Sequence, residues 1–331
     1  MSLRDLLQTA APDVALEIDH THVAAMRLAM RGGQVVIAAH AMEALAPGVV
    51  VPGLMTPNIA DVPAVAQVIG RVLTQLGGTR PSRVSLVVPD TVAKVSLVKL
   101  EKVPAKAEDL HEIVRWQLKK TSPFPVEQAV LSISPGAKSP DGASEFVVAL
   151  ARTDVLHQYE QACVMAGLHA GLVDLSTFAV INSVLAGQGS ADPSTGSASP
   201  RASSRGDWLL VHVTDTYLTL AVMRGDALLF FRNRGEEAEG TLADLIHQTA
   251  MYYQDRLHGG GFARVLIAGG ARLPGGAETV RRGLEERLGV SVEAVDPRAA
   301  ATLQDRIGAS PELLDVLAPL VGMAMRERTV A

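Results

Sequence analysis

Two short polar turns hold the side chains of this 331-residue sequence that could do chemistry: Asp19-His20-Thr21-His22 near its start and Thr214-Asp215-Thr216 in its second half. His20 and His22, at i and i+2, would share one face of a strand and could ligate a metal. No third or fourth ligand stands nearby in sequence, so a structural turn is the favoured reading. Thr21, Thr214 and Thr216 could donate hydrogen bonds to a phosphate, although threonine is also an ordinary turn residue. Gly269-Gly270, after the apolar run Val265–Ala268, could cradle an adenine or ribose, or simply turn the chain. The acidic pairs Glu108-Asp109 and Glu285-Glu286 have nothing to separate general acid–base work from solvated helix charge. No G-x-S-x-G, H-E-x-x-H, Walker A or C-x-x-C pattern occurs, so catalysis away from the two turns has no support in the sequence.

Each turn sits at the same place in a repeated plan. Residues 14–41 and 208–233 both read as an apolar strand, a polar turn, a second strand, an Arg-Gly turn (Arg31-Gly32; Arg224-Gly225) and a third strand. Two such meanders predict duplicated α/β halves facing one another across a cleft, with the polar turns at the cleft. Between them, Val65, Val68, Ile69, Val72, Leu73 and Leu76 recur at helical spacing, with Asp61 as N-cap and Gly77 as stop. A strand over 84–88 ends at Pro89, and an apolar stretch follows at 92–98. Leu110, Ile113, Val114 and Leu118 mark a second amphipathic helix, closed by Thr121-Ser122-Pro123-Phe124-Pro125. Strands are expected at 129–134 and 145–150, a helix at 154–166 stopped by Gly167, a strand at 172–175, and a helix to about residue 185. Residues 187–206 are almost free of large apolar side chains and read as a flexible loop. In the second half, Thr241 and Asp244 resemble a capping box. A helix near 277–288, a strand over 290–295 and a buried apolar helix over 311–325 complete the chain.

Composition bounds the function. The length suits two lobes, and a hydrophobic share of 48% with 20% charged residues fits a globular protein. A formal charge of −5 and an aromatic share of 4% speak against nucleic acid as a partner. Cys163, the single cysteine, cannot form an intramolecular disulfide and reads as an apolar helix-face residue. The first residues lack the apolar core of a signal peptide. No run reaches the roughly 18 apolar residues of a membrane span, and the stretch 313–325 is interrupted by Asp315. The expectation is a cytoplasmic protein without direct membrane insertion.

These landmarks resemble the PilM family, the actin-like component of type IV pilus assembly machines, related in fold to FtsA. Its most specific part is Arg115-Trp116-Gln117 followed by Pro123-Phe124-Pro125, similar to the family's tryptophan-bearing helix and Pro-Phe-Pro turn. Val147–Arg152, Ala166-Gly167-Leu168, Val173–Ala179, and Val265–Gly270 with Leu273-Pro274-Gly275 follow in the family's order. The resemblance implies a duplicated actin-like (ribonuclease H-like) α/β fold. It divides the chain into a first subdomain at residues 1–79 and 168–186, an α+β insert at 80–167, a flexible loop at 187–206, and a second half at 207–331 with a reduced lid.

The resemblance also implies ATP with Mg²⁺ at the two turns, with Thr21, Thr214, Thr216, Gly269 and Gly270 as the candidate contacts. The sequence departs from the family there. Where the family has Asp-Ile-Gly-Ser-Ser and a lysine, this chain has Glu17-Ile18-Asp19-His20-Thr21 and Ala24. Its second loop has His212 and Thr214 in place of aspartate and glycine, and only GEEAEG stands where lid helices are usual. Side chains fill the space that glycine would leave for phosphate, and Asp19 and Asp215 would repel it. The favoured expectation is a scaffold without ATP hydrolysis and with no cofactor, serving a pilus or a related type II secretion platform. In the family, a groove beside the insert receives the N-terminal tail of the inner-membrane protein PilN. The candidate contacts here are Val87, Pro89, Trp116 and Phe124, although core packing is favoured for Trp116 and Phe124. Motor ATPase, platform proteins or a second copy are further partners, and localisation follows as peripheral to the inner membrane through the PilN-like partner. The alternatives are an active ATP-binding PilM-type ATPase, which needs phosphate-compatible loops, and an FtsA-like polymer-forming protein. The latter predicts an amphipathic membrane-targeting C-terminus where this sequence reads Arg326-Glu327-Arg328-Thr329-Val330-Ala331.

Overall fold

The computed structural model describes residues 12–138, 142–189, 206–235, 242–272, 276–304 and 307–330. In chain order its elements are β1 (Val14–Ile18), β2 (His22–Arg31), β3 (Gln34–Ala44), α1 (Val62–Leu76), β4 (Arg83–Val88), β5 (Ala93–Leu100), α2 (Ala107–Leu118), β6 (Ala129–Lys138), β7 (Ser144–Arg152), α3 (Thr153–Met165), β8 (His169–Leu175) and α4 (Ser176–Gly189). There follow β9 (Asp207–Val213), β10 (Tyr217–Arg224), β11 (Ala227–Gly235), α5 (Leu242–Leu257), β12 (Phe262–Ala268), α6 (Gly276–Leu288), β13 (Val292–Ala294), β14 (Thr302–Leu303) and α7 (Pro311–Val330).

The duplication is visible strand by strand. In the first sheet β3-β2-β1-β4-β8 runs antiparallel through the meander and parallel from β1 to β8; in the second, β11-β10-β9-β12-β13 repeats the order and the sense. β1 is buried on both faces, which is why, apart from Glu17 at the cleft, it is apolar throughout rather than alternating. Val14, Leu16 and Ile18 face a core built with α1 and α3, whereas Ala15 faces α7. In the second lobe, Leu209 and Val211 pack with α5 and α6 residues, while Leu210 packs toward α4 and Ala318 of α7.

Helices α4 and α7 therefore lie between the two sheets and seal them together. Their crossing is close: a Cβ built on Gly322 of α7 would stand 1.7 Å from the carbonyl oxygen of Ala179 in α4. α1 forms where its apolar spacing predicts, with the Asp61 side chain accepting from the Ala64 amide at 2.9 Å and Gly77, at φ +69°, ending it.

Two boundaries differ from the sequence-based division. β4 is a central strand of the first sheet and α3 covers the same face as α1, so the insert is the separate sheet β5-β7-β6 with α2, residues 93–152, rather than 80–167. The apolar spacing of β4 and α3 gave no hint of which sheet each would join. The last elements also return to the first lobe: β14 pairs with β3, and α7 packs on β1 and β2. α4 continues through Gly189, into the stretch expected to be a loop, while residues 190–205 lie outside the described residues, as do Thr241 of the expected capping box, lid residues 236–240, and Leu273-Pro274-Gly275.

Candidate functional site

Of the hollows among the described residues, two involve the residues singled out by the sequence: the cleft where the polar turns meet, and a groove beside the insert. In the cleft, each turn uses its own donors. The Asp19 amide bonds to the His22 carbonyl at 3.0 Å, and Thr214 Oγ1 accepts the Tyr217 amide at 3.0 Å and, more weakly, the Thr216 amide at 3.3 Å. Thr21 Oγ1 is paired with His22 Nδ1 at 3.0 Å. The hydroxyls and amides that a phosphate would need thus hold the turns in shape.

The Gly269-Gly270 loop is engaged from elsewhere in the chain. Asp315 of α7 takes the Gly269 amide at 3.0 Å and the Ala271 amide at 2.8 Å, so a carboxylate of the protein itself occupies this cluster of N–H groups. Gly269 has a local reason to be glycine: its φ is +83° and a Cβ would stand 2.0 Å from the Val213 carbonyl oxygen.

Behind the turns, a buried polar network crosses from lobe to lobe. Asp90, fully buried after β4, accepts the Thr177 amide at 2.9 Å, the Thr177 hydroxyl, and the Thr219 hydroxyl of β10 at 2.5 Å. A hydroxyl has one proton to give, so the His212 ring donates through Nδ1 to Thr177 at 2.7 Å, and Asn233 donates to Thr219 at 2.9 Å. Tyr217 fills the space beside it, edge-on to His212; burial, with Asp90, Asp19 and Glu17 near, pushes its phenol well above the usual value.

At the mouth, His20 bridges the two turns, with Nδ1 3.1 Å from Asp19 and Nε2 3.5 Å from Asp215. The hydrogen bond to Asp19 chiefly raises the His20 pKa against the opposing effect of burial, and Asp215 adds to the rise. Burial works against the Asp19 carboxylate, but His20 and then His22 outweigh it and hold its pKa low. The cavity left among these groups is about 60 Å³, against about 300 Å³ or more for pockets that bury a drug-sized ligand. A nucleoside triphosphate with Mg²⁺ does not fit the residues of this cleft as they stand. His20 and His22 do converge on Asp19 and Glu17, yet among the described residues no group of three or more His, Cys, Asp or Glu side chains is arranged to hold a metal ion.

The groove is larger, about 470 Å³. One wall is the face of β6 and β7 carrying Val130, Ser132, Val147 and Ala149; the other is Leu172–Leu175 of β8 with Phe178 and Asn182 of α4. Among the described residues β8 is an edge strand, paired only with β4, so its outer backbone edge has no partner strand there. On the groove wall, Asp174 is ion-paired with Arg326; burial outweighs the guanidinium and raises the carboxyl pKa.

The expected partner contacts do not gather here. Val87 is fully buried in the core under α7, and Val88, one residue on, lines the groove, because successive strand residues point to opposite faces. Pro89 lines the cleft instead. Phe124 is buried with Ala129 and Leu150, as core packing would have it. Trp116 is not a core residue: it is 74% exposed, on α2, which covers the sheet face away from the groove. That much was available in the sequence, since burying Leu110, Val114 and Leu118 turns Trp116 outward. Cys163 is buried as expected, and burial pushes its thiol up to about 12. Asp90, Thr177 and Thr219 carried no sequence signal, being far apart in the chain.

A family model for the type IV pilus assembly protein PilM matches residues 15–249. No curated protein sequence matches the chain. Among solved structures, the chain is similar to one of a PilM-PilN type IV pilus biogenesis complex, at 19% identity and a TM-score of 0.78, covering 96% of this chain and 99% of that one. A Bacteroides thetaiotaomicron protein with an actin-like ATPase fold aligns at 8% identity and 0.48, covering 93% and 95%. The cytoplasmic domain of EpsL, an inner-membrane component of the Vibrio cholerae type II secretion system, aligns at 11% and 0.47, covering 96% and 94%. With duplicated actin-like halves and a family match over most of its length, the chain belongs to the type IV pilus assembly protein PilM family.

Proposed function

We propose that this protein is a cytoplasmic scaffold of a type IV pilus assembly platform, that its groove holds the N-terminal cytoplasmic tail of a PilN-like inner-membrane protein, and that it works without hydrolysing ATP. The observation that carries this reading is the contrast between the two sites: an open groove of about 470 Å³ beside an unpaired strand edge, and a cleft of about 60 Å³ whose amides are engaged by the protein itself. An extended tail docked there would take main-chain hydrogen bonds from β8 and seat alternate side chains against the apolar wall of β6 and β7. The similarity to a protein solved in a PilM-PilN complex supports the identity of the partner. Among the described residues no helix is long and apolar enough to cross a membrane, so the tail would tie this protein to the inner membrane.

The loss of ATP chemistry is supported by the same cleft. Phosphoryl transfer depends on positioning and charge neutralisation around the phosphates, and Asp19, Asp215 and Asp315 instead bring negative charge to where those groups would lie. The test is a Ser132→Trp variant, which fills the groove from an exposed position without touching the core. Affinity for a labelled tail peptide falls at least about tenfold if the groove is the docking site; unchanged affinity moves the partner elsewhere on the molecule.

A further inference from the structure

Among the described residues, the outward face of α2 has no packing role. The helix buries Val114 and Leu118 against the insert sheet, with Leu110 partly buried beside them. Opposite them stand Trp116, 74% exposed, and Ile113, 38% exposed, one turn earlier. An indole left in water forgoes one of the largest burial gains available to a side chain, and tryptophan is over-represented where interfaces hold most of their energy.

The charges around this apolar pair are sorted. Asp109 and Glu112 precede Trp116 by seven and four residues, and Lys119 and Lys120 follow it. At about 100° per residue, Asp109 and Glu112 fall within about 40° of Trp116 around the helix, and Lys119 and Lys120 follow in the turn at its C-terminal end. The stripe therefore runs acidic, apolar, basic. Such a stripe is its own complement when a second copy is laid against it in the reverse direction, which is the condition for a two-fold interface.

We propose that α2 pairs with α2 of a second copy of this chain, antiparallel about a two-fold axis. Asp109 then lies opposite Lys120 of the second copy, and Ile113 against its Trp116. Lys119 already approaches Glu127 of its own chain at 3.7 Å, so Lys120 is the basic partner in this register. The contact is one helix wide and falls short of the roughly 1,200 Å² of a stable interface, so the dimer is weak and concentration-dependent. It leaves the groove free, since α2 and the groove lie on opposite faces of the insert sheet.

Sedimentation velocity of the full chain over a wide concentration range tests this. The wild type is expected to pass from monomer to dimer, and Trp116→Ala to raise the dissociation constant at least about tenfold. Asp109→Lys alone and Lys120→Asp alone each weaken the dimer, and the two together restore it. All three positions are exposed, so circular dichroism of every variant matches the wild type. A chain that stays monomeric throughout overturns the proposal. So does a dimer indifferent to Trp116→Ala, failure of the double exchange to restore association, or a Trp116→Ala defect confined to binding the tail peptide.

Discussion

Asp315 Oδ1 lies 3.0 Å from the Gly269 amide and Asp315 Oδ2 lies 2.8 Å from that of Ala271, so α7 supplies from within the chain the anion that this loop is shaped to receive. The contact ties the last helix, which packs on the first lobe, to the second lobe's β12. Asp315→Ala leaves both amides without their acceptor and is expected to lower stability by about 2 kcal/mol, read from urea unfolding. Asp315→Asn, keeping one carbonyl oxygen, loses about half as much.

The network on Asp90 predicts a larger effect. Asp90→Ala strips the acceptor from one amide and two buried hydroxyls at once, at a cost of about 3 kcal/mol or more. Thr219→Val removes one hydrogen bond to Asp90 and the one Thr219 accepts from Asn233, and costs about 2 kcal/mol. Because these bonds cross between lobes, hydrogen exchange in Asp90→Ala is expected to rise in β4 and β10 together; a rise in β4 alone contradicts the bridging role.

Gly322→Ala tests how tightly α4 and α7 are joined. The added methyl would meet the Ala179 carbonyl oxygen and the Ser183 amide, both far inside contact distance. Helix separation has to increase across both cores, and a loss of about 3 kcal/mol is expected in the unfolding midpoint.

His20 makes stability depend on pH. Its pKa in the folded protein is above the ordinary value, so its favourable contribution is complete below about pH 6.5 and is lost as pH rises through the folded value. Asp19 works in the opposite range: its lowered pKa contributes above about pH 4 and is lost as pH falls through the folded value. Between pH 6 and 8, therefore, wild-type stability is expected to fall toward that of His20→Gln, from a lead of about 1 kcal/mol. Parallel unfolding midpoints across that range contradict the His20 bridge.

The duplicated fold was legible because it rests on local signals. The paired meanders, the Asp61 cap, and the apolar spacing of α1 and α2 each specify an element from within a few residues. The absence of glycine from both polar turns was legible for the same reason. What closes the cleft was not, because Asp315 reaches Gly269 across 46 residues and Asp90 reaches Thr219 across 129. Nothing in an apolar helix with one aspartate says which amides that aspartate will find. Which residue of β4 would face the groove side was not legible either, because Val87 packs under α7, Val88 packs on the opposite face, and both faces of the strand are apolar. Trp116 was set against its own helix periodicity: the pattern that buries Val114 and Leu118 already points it outward.

The groove is proposed to hold a partner tail independently of nucleotide. Calorimetric titration of the PilN-like N-terminal tail peptide into the protein, with and without ATP and Mg²⁺, tests it most directly. One-to-one binding with the same affinity in both conditions is expected, and no heat when ATP and Mg²⁺ are titrated alone. Tail binding that requires ATP, or tight ATP binding in its own right, would contradict the closed cleft; no tail binding in either condition would contradict the groove.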